Sequence, residues 1–118
     1  MIRPSQKLRV YLCREPVDMR KAMDGLAVWV QEAMELNPFE DAVFVFGNRR
    51  RDKVKILCWE RNGFVLWYKR LEKERFKWPE RLEQDTVVLT GQELNWLLDG
   101  YDIALMKPHK ALNYQSVC

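Results

Sequence analysis

At 118 residues the chain suffices for one domain with its own core, and splitting it in two would leave each half too small to bury enough surface. Hydrophobic residues at 47% and charged residues at 31% lie near the globular average, which disfavours disorder. No apolar run approaches a spanning helix and the N-terminus has no secretory apolar region, so a cytoplasmic protein is expected. The net charge of +3 is modest but segregated: residues 1–14 hold Arg3, Lys7, Arg9 and Arg14 without an acid, 49–55 hold five bases against Asp52, and 83–102 hold Glu83, Asp85, Glu93, Asp99 and Asp102 without a base.

Residues 9–14 (RVYLCR) are short, apolar and partly β-branched or aromatic, which predicts a first strand ended by Glu15-Pro16. A helix follows, capped by Asp18, with Met19, Met23, Leu26, Ala27, Val30 and Met34 recurring at three- and four-residue steps on one face. Gly25 inside it costs about 1 kcal/mol against alanine, which points to another segment packed close. The helix ends before Asn37-Pro38, because proline disfavours helical geometry in the preceding residue.

Ala42 to Phe46 (AVFVF) is continuously apolar and reads as a central strand. Lys53 to Glu60 and Phe64 to Lys69 flank Asn62-Gly63, a dipeptide suited to a two-residue type I′ hairpin turn. That turn sets Trp59 opposite Leu66, Cys58 opposite Trp67, Leu57 opposite Tyr68 and Lys55 opposite Arg70. One side of the hairpin then carries Val54, Ile56, Cys58, Val65 and Trp67 and is the expected core side. The other carries Leu57, Trp59, Phe64, Leu66 and Tyr68 with Lys55, Arg61 and Arg70.

Residues 69–81 are densely charged but interrupted by Phe76 and Trp78, a pattern that fits either a loop or a short strand ending at Pro79. Thr86 to Leu89 predicts a further strand, Thr90 and Glu93 form a capping box, Leu94, Leu97 and Leu98 make the stripe of a second helix, and Gly100 stops it. From about Met106 packing signals are few, so residues 106–118 are expected to form a flexible tail after a single domain of residues 1–105. The predicted class is α+β, a single domain with a mainly antiparallel sheet and two helices.

Catalysis is hard to place. Cys13, Cys58 and Cys118 are far apart and lack a C-x-x-C pairing, which disfavours both a disulfide framework and a structural zinc site. Asp18 and Asp24 are not obvious co-ligands of a metal, and His109 sits between Lys107 and Lys110 without a nearby acid. Neither a phosphate-cradling glycine loop nor a nucleophile elbow is present, so a non-enzyme without cofactor or metal is expected.

Three features suit anion binding. The turn Asn48 to Lys53 projects Arg49, Arg50, Arg51 and Lys53 between two strands, continued by Lys55; its alternative reading is a charged loop that guards a sheet edge. The aromatic side of the hairpin interleaves Trp59, Phe64 and Tyr68 with Lys55, Arg61 and Arg70, as a base-stacking platform would, although aromatics on a sheet are more often core. Arg20 and Lys21 open the first helix, where a base opposes the macrodipole unless an anion or an acid such as Asp24 compensates.

The run Glu15 to Leu26 (EPVDMRKAMDGL), then Asn37-Pro38-Phe39, Val43 to Phe46 with Asn48 to Asp52, and Lys55 to Glu60 (KILCWE) closely resembles the TnpB-type accessory proteins of the insertion sequence 66 family. The likeness continues through Asn62-Gly63-Phe64, Leu66 to Leu71 (LWYKRL) and Arg75 to Pro79 (RFKWP), and covers about residues 9–105. It implies an accessory role in transposition beside a separate transposase that carries the DNA-cutting acids. It transfers no catalytic residues. The matching bases Arg20, Lys21, Arg49, Arg50, Lys55, Lys69 and Arg70 are therefore candidate contacts, with Arg51 and Lys53 added by the turn itself. Two roles compete: a DNA-binding subunit that assists the transposase, and a protein adaptor that binds the transposase or another element-encoded protein, without direct DNA contact, through the acidic C-terminal region and surplus aromatics.

Overall fold

A computed structural model describes residues 9–79 and 85–106. Its elements in chain order are β1 (Arg9–Cys13), α1 (Met23–Glu32), β2 (Ala42–Gly47), β3 (Lys53–Glu60), β4 (Gly63–Arg70), β5 (Thr86–Leu89), α2 (Gly91–Leu98) and α3 (Ile103–Met106). All five strands join one sheet in the order β4-β3-β2-β1-β5. Every neighbouring pair is antiparallel except β1 and β2, which run parallel because α1 carries the chain across between them. The class is thus α+β as expected, with one parallel pair and a short third helix added.

Apolar residues cover both faces of the sheet. On one, Val43, Val45, Val54 and Ile56 pack with Phe76, Trp78 and the leucines of α2; on the other, Phe44, Phe46 and Leu57 pack with Leu26, Val30 and Met34. β2 lies at the centre and is buried along its whole length, which is why its sequence does not alternate. The hairpin side carrying Leu57 and Leu66 is therefore core as well, not only the side carrying Val54 and Ile56.

Three local expectations need correction. Asp18 does not cap α1, which starts at Met23 behind Ala22 with no side-chain cap. Its carboxylate instead accepts from the backbone N–H of Arg20 at 2.9 Å and from the Arg20 guanidinium at 2.7 Å. The chain resists helical geometry here because it is tied to the sheet: the Val17 N–H donates to the Gly47 carbonyl at 2.9 Å, and the carbonyls of Met19 and Lys21 accept from Lys55.

The hairpin register differs by two residues. Trp59 faces Phe64, Cys58 faces Val65, Leu57 faces Leu66 and Lys55 faces Tyr68, so the turn residues are Arg61 and Asn62. Arg61 has a φ of 58°, but Asn62 does not join it in the positive region, as a type I′ turn requires. A two-residue slip leaves every side chain on its own face, so hydrophobic patterning could not separate the two registers. The observed one brings Trp59 and Phe64 to 5.0 Å between ring centroids, with Phe39 completing the cluster.

At Gly25, the nearest atom to an added Cβ would be Lys21 Cβ at 3.5 Å, an ordinary contact, so no other segment presses on the helix there. The capping box does form: Thr90 Oγ1 accepts from the Glu93 N–H and Glu93 accepts from the Thr90 N–H. Gly100 takes a φ of 92° after α2. Residues 71–79 are irregular, with Phe76 and Trp78 buried and Lys73, Arg75 and Lys77 exposed. The expected tail, with His109 and Cys118, lies outside the described residues apart from Met106, which ends α3.

Candidate nucleic-acid interface

Strand direction decides where the bases go. β1 and β2 end, β3 begins, β4 ends and β5 begins at the same end of the sheet. Arg20 and Lys21 follow β1, Arg49, Arg50 and Arg51 follow β2, Lys53 and Lys55 open β3, and Lys69 and Arg70 close β4. All nine candidate residues therefore share one end of the molecule. Residues 71–79 join them there, through the Leu71 N–H on the Asp52 carbonyl at 2.8 Å and the Phe76 N–H on the Arg51 carbonyl at 2.7 Å.

Their side chains divide into two groups. Lys55 Nζ donates to the carbonyls of Met19 at 2.6 Å and Lys21 at 2.9 Å, and lies 5.5 Å from the Tyr68 ring. Lys69 Nζ, on the other sheet face, donates to the Leu98 carbonyl at the end of α2 at 2.8 Å, where the negative pole of the helix favours a cation. The Arg51 guanidinium bonds the Arg14 carbonyl at 3.1 Å and sits 4.8 Å from the Trp78 ring, on a backbone with φ of 62°. These three bases bind the protein to itself.

Arg49 and Arg50 are exposed at the tip of the turn. The turn is rigid: Asn48 Oδ1 accepts from the N–H groups of Asp52 and Lys53, and Asn48 Nδ2 donates to Asp52 at 2.6 Å, which holds the Asp52 carboxyl below its ordinary range. Arg20 is 92% exposed and paired with Asp18, whose carboxyl it lowers to about 2 through side-chain and then backbone hydrogen bonds. Arg70 is exposed beside Glu72 at 3.1 Å, and Lys21 lies 5.7 Å over the Trp29 ring. Lys73, Arg75 and Lys77 extend the charge. They were missed because residues 69–81 had no decided structure; the alternation of Arg75 and Lys77 with buried Phe76 and Trp78 is the signal that marks an extended, outward-facing basic edge.

The expected aromatic platform is not assembled. Trp59 and Phe64 pack with Phe39 at the far end of the hairpin, Leu57 and Leu66 lie beneath α1, and of the three aromatics of that side only Tyr68 is near the basic end, where it is exposed. The acids of residues 83–102 are also partly committed: Asp85 pairs with Arg14 at 3.3 Å, Glu93 caps α2, and Asp102 accepts from the Ala104 N–H. Among the described residues no three metal-ligating side chains cluster, and no helix is long and apolar enough to cross a membrane.

Comparison with known proteins shows the family of the chain. The family described as IS66 Orf2 like protein matches residues 8–108. The chain is 34% identical over 102 residues to "Uncharacterized protein y4hO" of Sinorhizobium fredii (strain NBRC 101917 / NGR234), across 86% of this chain and 88% of that one. It is 32% identical over 107 residues to "Uncharacterized protein y4jC" of the same organism, across 91% of each. No solved structure matches the chain. The family match spans the same elements that carry the basic end of the sheet, and by it the chain belongs to the IS66 Orf2-like family of transposition-associated accessory proteins.

Proposed function

We propose that the protein binds DNA in the cytoplasm through the basic end of its sheet and so assists a separate transposase of the same element. The observation that carries this reading is the convergence, from three separate chain segments, of Arg20, Arg49, Arg50, Arg70, Lys73, Arg75 and Lys77 as exposed bases on one end. The partner is the sugar-phosphate backbone. Guanidinium groups suit phosphate oxygens, whereas Asn48, the amide in the turn, spends its side chain on Asp52 and Lys53 and is not offered to base edges. Binding of element-end and unrelated duplexes at two salt concentrations tests the reading: similar affinities that fall steeply with salt support it, and no binding at low salt overturns it.

A second reading, an adaptor that binds the transposase, is favoured by Tyr101 and Leu105, which are exposed in and before α3 at 52% and 82%. Co-purification of the transposase after nuclease treatment, lost in a Leu105→Glu variant, would favour this contact over a DNA bridge.

A further inference from the structure

β4 has the sequence of a central strand and the position of an edge. Strands shut from water on both faces read as unbroken apolar runs, as β2 does, and Phe64-Val65-Leu66-Trp67-Tyr68 is such a run. Yet β4 is the last strand of the sheet, and Gly63 to Trp67 are all half-buried, so neither face is closed. The usual guards of an edge are missing. β5, the opposite edge, is protected by its length of four residues, but β4 runs for eight without proline, and its pairing with β3 is unbroken from Lys53–Arg70 to Glu60–Gly63. Its charges, Lys69 and Arg70, sit at one end, and Lys69 is turned onto the Leu98 carbonyl.

We propose that β4 pairs with β4 of a second copy, making a two-fold dimer with one continuous sheet of twice five strands. Adjacent residue pairs in an antiparallel ladder alternate in type, so a two-fold axis must place one residue opposite itself. Centred on Leu66, the register sets Phe64 against Tyr68, Val65 against Trp67 and Gly63 against Lys69, with Arg70 against Asn62. Aromatic and branched residues meet across the join, and no like charges do. A parallel pairing would line up Lys69 and Arg70 with themselves. The dimer does not depend on the DNA reading. With it, each dimer presents two basic ends pointing in opposite directions, set to hold two duplexes.

The test uses the full chain without DNA. Sedimentation across micromolar to high-micromolar concentration is expected to show twice the chain mass of 14.2 kDa. Amide exchange of residues 63–70 should slow over the same range, while that of β5 stays constant. Val65→Lys, at a half-buried position, should give a monomer with unchanged circular dichroism and fast β4 exchange. A monomer at every concentration overturns the proposal, as does a dimer whose β4 exchange ignores concentration, or β4 protection that appears only on adding another protein. If Val65→Lys itself unfolds, the exchange of the natural chain still decides. In a separate arm, capture of one labelled duplex by another should require the dimer; loss of all DNA binding would remove the DNA reading and leave the dimer standing.

Discussion

The indole of Trp78 fills the space that a side chain on Gly47 would take: a Cβ there would lie 2.8 Å from Trp78 Cη2. The ring has little freedom to yield, since its Nε1–H donates to the Cys13 carbonyl at 3.1 Å and the Arg51 guanidinium stacks on it at 4.8 Å. Gly47→Ala is therefore expected to overpack this corner and cost about 1–3 kcal/mol. Urea unfolding would show a lower midpoint at constant slope; an unchanged midpoint would mean that the indole moves aside.

The two groups of bases should separate by experiment. Arg49→Ala with Arg50→Ala should leave stability within about 0.5 kcal/mol, because both side chains are exposed at the turn tip. In DNA binding the same pair should lower the slope of log affinity against log salt by about 2. Lys55→Ala should do the reverse. It strips two carbonyls of their donor and is expected to cost about 1–3 kcal/mol, with little change in the salt slope. A salt slope unmoved by the arginine pair would place the DNA contact elsewhere.

Thr90 and Glu93 act reciprocally at the start of α2. Thr90→Ala should destabilise by about 1 kcal/mol, and adding Glu93→Ala should cost less than the separate losses combined. Strictly additive losses in thermal melts would show that the two bonds work independently.

Asp18 carries a pH signature. Its folded carboxyl sits at about 2, below the ordinary 3.8, because Arg20 bonds the charged form. Being depressed, it contributes stability present above 3.8 and lost as pH falls toward 2. A carboxyl-resolved NMR titration should find this low midpoint, and Arg20→Ala should return it toward the ordinary value. A midpoint already ordinary in the natural chain would mean the pair does not form in solution.

Much of the fold was legible because periodicity and capping act locally. The apolar run of β2, the short β-branched run of β5 and the Thr90 to Glu93 box each announce themselves within a few residues. What failed was set by distant partners. Asp18 looked like a helix cap until Lys55, 36 residues beyond Met19, took hold of the intervening carbonyls. The hairpin slipped by two because Phe39, from another segment, rewards the pairing of Trp59 with Phe64. At the candidate site, sequence named bases but not their duties: Lys55, Lys69 and Arg51 are indistinguishable from Arg49 and Arg50 until the carbonyls they bind are known.

The first strand also constrains how the chain is made. β1 lies between β2 and β5, paired by Val10 to Val43 on one side and to Leu89 on the other. A nascent chain that has released β1 to β4 still lacks one flank of that strand, and with β5 missing, the leucines of α2 that cover one sheet face are missing too. At synthesis rates of about 5–20 residues per second, β1 waits roughly 4–15 s for its last neighbour. Pairing between segments so far apart in sequence makes folding slow and late. A messenger cut short before the codons for residues 86–98 would thus yield a sheet with two open sides and an uncovered core, a product for proteases and not for transposition.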